Sequence, residues 1–187
     1  MGRIVVTEFI SLDGVVEDPG GSENFRHGGW SFAISSGDDG REFKVEETRA
    51  SDAQLLGRVT YEGFAEAWPS RDGEFADLFN SMPKYVVSST LTNPTWNNTT
   101  VLTGDLAGEV AKLKARYERD IVVHGSVKLA QSLIEGDLVD ELRLMVFPVV
   151  LGTGLRLFGE TSDKKTFKLA SSRIVGEGVA ILVYRPA

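Results

Sequence analysis

The 187-residue chain contains no cysteine. That absence removes disulfides, a thiol nucleophile and every cysteine-ligated zinc site. Histidine is nearly as scarce, with His27 and His124 the only two. A metal site built on several histidines is excluded, none of another kind is expected, and a Ser–His–Asp triad is not expected either. The sequence lacks a G-x-x-x-x-G-K-[ST] loop and a G-x-S-x-G elbow. Gly152-Thr153-Gly154 runs on into Leu155-Arg156-Leu157 without the third glycine of G-x-G-x-x-G. No apolar run approaches the roughly 20 residues that a membrane span needs. The first residues reach Arg3 and Glu8 too early for a secretory signal, so a cytoplasmic protein with no membrane partner is expected. Positive charge is in deficit as well. The 20 Lys and Arg stand against 27 Asp and Glu, a net charge of −7, which argues against a nucleic-acid partner. Any anion must be held locally, by a helix terminus and an arginine.

What is present is a core of ordinary size, 42% hydrophobic, read as one domain over residues 1–187. The stretch Ile121-Val122-Val123 is too short for a helix and turns at His124-Gly125-Ser126. A helical face of Leu129, Ala130, Leu133 and Ile134 follows, with Gly136 placed to stop it. Leu142, Leu144 and Val146 then alternate with Glu141, Arg143 and Met145, the period of a strand. Strand, turn, helix and strand make a βαβ unit, and its turn leaves free N–H groups at a helix N-terminus, where a phosphate fits.

Further strands are expected at Arg3–Ile10, Ser51–Leu56, Lys84–Ser88 and Thr99–Leu102, each rich in β-branched or apolar residues. Two more, Lys164–Val175 and Gly178–Tyr184, are expected to form a terminal antiparallel hairpin. Helices are expected from Gly40 to Ala50, from Arg58 to Trp68, from Glu74 to Met82, and after Asp105, an N-cap residue ahead of Leu106, Val110, Leu113 and Tyr117. The polar, glycine-rich segment from Glu17 to Gly29 reads as a mobile surface loop with a solvated His27. The fold class is α/β: a mixed sheet with helices on both faces.

Three strand ends deliver small polar groups where a helix or loop begins: Gly57-Arg58-Val59-Thr60, Ser88-Ser89-Thr90 and His124-Gly125-Ser126. Ligands of open α/β sheets gather outside the carboxyl ends of the strands, so three such ends on one rim could cradle an extended, phosphate-bearing molecule.

Taken together these residues resemble a known family. Leu55-Leu-Gly-Arg-Val-Thr-Tyr-Glu62 resembles the Gly-Arg-x-Thr helix start of dihydrofolate reductase. Lys84-Tyr-Val-Val-Ser-Ser-Thr90 resembles its adenosine-side strand, and His124-Gly-Ser126 its pyrophosphate turn. The tail from Gly136-Asp-Leu-Val-Asp-Glu-Leu to Phe147-Pro-Val-Val-Leu-Gly-Thr-Gly-Leu-Arg-Leu-Phe158 resembles the RibD C-terminal branch of bacterial reductases.

The resemblance implies a dihydrofolate-reductase-like, three-layer fold with a mostly parallel sheet, and an NADPH-dependent oxidoreductase. Its acceptor would be a small heterocyclic or ring-opened sugar, as for 5-amino-6-(5-phosphoribosylamino)uracil reductase of riboflavin biosynthesis. By position, Gly57 and Thr60 would meet phosphates, Arg58 and Ser89, flanked by Ser88 and Thr90, the adenosine 2′-phosphate, and His124, Gly125 and Ser126 the pyrophosphate. Val16 would lie near the nicotinamide, with Asp13 the nearest carboxylate. An acid on the early helix, which dihydrofolate reductases keep, is not evident between Trp30 and Ala50. Dihydrofolate reduction and dinucleotide binding without chemistry remain the alternatives. A homodimer through the Glu141–Phe147 strand and Pro148–Leu151 is also implied.

Overall fold

A computed structural model describes residues 1–187. Six short aliphatic runs lie parallel in it: β1 (Arg3–Ser11), β2 (Ser51–Gly57), β3 (Lys84–Val87), β4 (Thr99–Leu102), β5 (Asp120–His124) and β6 (Glu141–Phe147). The hairpin β7 (Phe167–Val175) and β8 (Val179–Pro186) adds two antiparallel strands, giving the order β4-β3-β2-β5-β1-β6-β8-β7. This is the mixed, mostly parallel sheet expected, closed at one end by the hairpin. Every parallel connection carries chain across a face, so helices α1 (Gly37–Arg49), α2 (Arg58–Ala67), α3 (Glu74–Ser81), α4 (Leu106–Arg116) and α5 (Val127–Glu135) cover both sides.

The alternation of side chains sorts the core into layers. Ile4, Val6, Leu55, Ile121 and Val123 point to one face, where Val110 and Leu113 of α4 and Leu129, Leu133 and Ile134 of α5 pack on them. Leu56 and Val86 point the other way, into an aromatic group of Tyr61, Phe79 and Trp96 beneath α2 and α3. Trp30, Phe147, Val175 and Ile181 make a third apolar group at the β6–β8–β7 end. Asp105 caps α4 as expected, accepting the Gly108 amide at 3.0 Å.

Several expectations need correction. The Glu17–Gly29 segment is built around buried Asp18, whose carboxylate accepts the amides of Ser22 and Phe25 while its carbonyl accepts those of Gly21 and Gly29. Trp30 Nε1 then bonds the Glu17 carbonyl at 2.8 Å, so the glycine-rich composition reflects tight turns rather than mobility. His27 is half-buried, edge-on to Phe25.

β6 has no solvated polar face. Glu141 is buried and Arg143 nearly so, because α1 lies across them. Their charges are satisfied in a chain of ion pairs: Arg143 with Glu47, Asp120 and Glu141, Arg3 with Asp120, and Arg185 with Glu141. Burying such charges is tolerable only with partners on every side. The apolar residues of α1, Phe43 and Val45, are only half-buried; its buried residues are Gly40, Glu47 and Thr48.

β6 is also flanked by β1 on one side and β8 on the other, so it offers no edge to a second copy. The exposed apolar residues at this end are Val150, and Leu169 and Ile174 on the edge strand β7.

Candidate functional site

Strands β3, β2 and β5 are neighbours and parallel, so their carboxyl ends fall side by side. The three polar strand ends picked out from the sequence therefore share one rim. Side chains stitch two of them together. The Gly57 amide donates to Ser126 Oγ at 2.9 Å, the Ser126 amide donates to Thr60 Oγ1 at 2.8 Å, and Ser126 Oγ donates to the His124 carbonyl at 3.1 Å. The turn that permits this has two successive residues in the left-handed region, Gly125 at φ 55° and Ser126 at φ 58°. A Cβ on Gly125 would stand 3.3 Å from Thr60 Cγ2 and Oγ1, so glycine lets the turn approach α2 closely.

Both helices starting at this rim lack a side-chain cap: Gly57 precedes α2 and Ser126 precedes α5, neither bonding its helix through a side chain. Their leading N–H groups are thus left for an external acceptor, with the positive ends of two helix dipoles behind them. Next to them, Arg58, Val87, Ser88, Ser89, Thr90, Leu102, Thr103 and Gly104 line an open cleft of about 440 Å³. Thr103 and Gly104 were not expected from the sequence; they arrive because β4 ends beside β3. Arg58 is half-exposed and pairs with Glu62 at 2.8 Å, one turn along α2. Such an exposed pair is worth only about 0.3–0.5 kcal/mol, so an incoming phosphate can displace it.

The other expected residues fare differently. The His124 side chain faces away from α5, packing edge-on against Phe79 at 5.2 Å. Burial, and then the charges of Lys44 and Arg143, push its pKa well below the ordinary 6.5. Only its backbone belongs to the rim. Val16 is buried in the main core, its amide tied to the Leu155 carbonyl.

Asp13 acts as a clamp in its turn. Its carboxylate accepts Ser11 Oγ at 2.7 Å and the amides of Leu151 and Gly152 at 3.1 and 2.8 Å. The Ser11 hydroxyl first, and then those amides, lower its pKa to about 2. Glu17 similarly accepts the Leu155 amide at 2.8 Å. The Pro148–Phe158 segment thereby clasps the loop after β1, which is the work its glycine-rich pattern does here.

Two acids escaped sequence reasoning. Glu8, on the α5 face of β1, is buried with Oε1 unpartnered, and burial raises its pKa well above 4.5 despite nearby Lys44 and the Gly125 amide. Glu47 is the one buried acid of α1. Its oxygens are taken by Lys44, Thr7 Oγ1 (3.1 Å) and Arg143 (3.4 Å). The usable signals were an acid inside an apolar strand, and Lys44 and Glu47 three apart on a helix.

The sequence model of the RibD C-terminal domain matches residues 3–181. The chain belongs to that family. A Bacillus subtilis (strain 168) protein named "Uncharacterized protein YyaP" is 29% identical over 187 residues, covering 97% of this chain and 94% of its own. Among solved structures, a putative riboflavin biosynthesis protein from Shewanella sp. PV-4 superposes with a TM-score of 0.81 at 23% identity, covering 99% of each chain. A pyrimidine reductase-like protein from Corynebacterium diphtheriae gives 0.69 at 14% identity, over 100% of this chain and 92% of that one. At these identities the structural likeness shows the shared RibD C-terminal fold.

Proposed function

We propose that this RibD C-terminal domain is an NADPH-dependent reductase of small heterocyclic or ring-opened sugar substrates. The observation that carries the reading is the pair of uncapped helix N-termini, joined through Gly57, Thr60 and Ser126, beside the Arg58-Ser88-Ser89-Thr90 cleft. A dinucleotide with a 2′-phosphate has one charged group for each: the pyrophosphate for the helix ends, the 2′-phosphate for Arg58 and the hydroxyls. The donor set fits: N–H groups, hydroxyls and the Arg58 guanidinium face the cleft, and the Glu62 carboxylate is held by Arg58. When bound, NADPH supplies hydride from its nicotinamide ring. The chain holds and orients the dinucleotide, and the clasped loop after β1 bounds the site.

Solved relatives named for riboflavin biosynthesis and pyrimidine reduction, one of them a Thermotoga maritima 5-amino-6-(5-phosphoribosylamino)uracil reductase, make that uracil the reference acceptor. Dihydrofolate reduction is not favoured, because the one buried acid of the early helix has both oxygens engaged. The experiment is thermal unfolding with NADPH or NADH, followed by NADPH oxidation against a panel of pyrimidine, pterin and carbonyl acceptors. Protection by NADPH with turnover of a panel member supports the reading. Protection without turnover on any acceptor leaves a non-catalytic binder, and no protection overturns it.

A two-fold dimer belongs to the same proposal, through the expected Pro148–Leu151 segment with its exposed Val150 and through the apolar residues Leu169 and Ile174 of β7. Light scattering that shows a monomer at micromolar concentration overturns that part.

A further inference from the structure

β5 ends at His124, the partner of Thr7, whereas β1 continues to Ser11 alongside β6. Beyond the Thr7–His124 pair the sheet is open between β1 and the turn at Gly125. The Gly125–Ser126 turn of the rim lies beside this opening, and ligands of α/β sheets enter where strands part. On its α1 side stands a single ammonium. Lys44 Nζ donates to Thr7 Oγ1 at 2.9 Å, pairs with Glu47, and lies 5.7 Å from the centroid of the Phe9 ring, the next β1 side chain on that face.

An ammonium has three N–H donors, and two of these are engaged, by Thr7 and Glu47. The side chain of Lys44 is 14% exposed against 1% for Glu47, so of this pair Lys44 is the one that reaches toward solvent. Beside it His124 Nε2 is buried without a partner. A buried polar atom normally has one, so this atom and the third N–H of Lys44 are both left with unmet hydrogen-bonding capacity.

We propose that Lys44 is the catalytic residue that meets the reacting nitrogen or oxygen of the substrate, with Thr7 and Glu47 as positioning residues. The substrate class is a compound with a C=N or C=O bond, and the proposal rests on the NADPH reading above. As the carbon of that bond receives hydride from nicotinamide C4, its π pair moves to the heteroatom. The heteroatom takes a proton from Lys44 Nζ, whose N–H bond breaks, and water returns that proton afterwards. The dihydronicotinamide loses two electrons and the substrate gains them.

The test reads the Lys44 ammonium by ¹⁵N NMR in lysine-labelled protein, with Lys44→Arg used to assign the signal. Two ligands are compared, NADP⁺ and adenosine 2′,5′-bisphosphate, which lacks the nicotinamide. Both are expected to shift the amides of Gly57 and Ser126, and only NADP⁺ to shift Lys44. In the acceptor panel, Lys44→Met is expected to lower kcat about 100-fold or more with NADPH affinity unchanged. Thr7→Ser is expected to retain the Lys44 response and Thr7→Val to lose it. A rim that responds to NADP⁺ while Lys44 stays still overturns the proposal, as does a Lys44→Met variant with full turnover. A rim that responds to neither ligand, or a wild type that reduces no acceptor, defeats the reductase reading and the proposal with it. Should Lys44→Met fail to fold, the wild-type NMR comparison decides.

Discussion

The amide of Ser126 donates to the hydroxyl of Thr60 across the rim at 2.8 Å, fastening the turn before α5 to the first turn of α2. Thr60→Val keeps the shape and removes the acceptor. The half-buried amide is then left unsatisfied, at a cost of about 1–3 kcal/mol. Chemical denaturation is expected to show that loss, and calorimetry a weaker NADPH complex, because the two helix ends are no longer held in register.

Arg58 should decide between the two nicotinamide cofactors. A charged hydrogen bond is worth about 1.5–3 kcal/mol, so Arg58→Gln is expected to weaken NADPH binding by roughly 10- to 100-fold. NADH, with no 2′-phosphate, should bind the variant as it binds the wild type. Equal losses for both cofactors would place Arg58 elsewhere than at the 2′-phosphate.

Gly125→Ala puts a side chain on a backbone at φ 55° and brings its Cβ to 3.3 Å from Thr60. The left-handed conformation alone costs about 1–2 kcal/mol. A lower melting temperature and a loss of NADPH affinity are expected, measured in the same thermal-shift series.

Glu8 and His124 should tilt the pH dependence of stability in opposite directions. The folded chain holds the Glu8 proton above its ordinary 4.5, so this group's contribution is full below pH 4.5 and is lost as pH rises toward the folded value. Glu8→Gln is therefore expected to gain on the wild type as pH climbs above 4.5. Folded His124 resists the proton that the unfolded chain accepts at 6.5, so its contribution is full above that pH and is lost as pH falls. His124→Asn should flatten that acid limb. Urea denaturation over roughly pH 4 to 8 measures both slopes.

Much of this molecule was legible before its structure. The apolar runs Ile121–Val123 and Lys84–Val87 lie in strands because they are short and bounded by turn residues, and Asp105 caps because its side chain reaches back to Gly108. The three polar strand ends could be named because Gly, Ser and Thr stand where apolar runs stop. That two of them bond each other depends on β2 and β5 being neighbours, which no local pattern encodes.

The charged interior is not legible in the sequence, for a definite reason. Glu141 and Arg143 alternate with leucines as they would on a half-solvated strand, and only the passage of α1 over β6 turns that face inward. Asp13 looked available because it sits in a turn. The amides that occupy it come from Leu151 and Gly152, far along the chain.

One titration tests NADPH binding most directly: NADPH into the wild-type protein, followed by calorimetry at about 1 mM cofactor, a concentration at which even weak sites fill. One site per chain is predicted, with NADH binding more weakly and Arg58→Gln removing the difference. The absence of any heat of binding for NADPH, or indifference between NADPH and NADH, would contradict it.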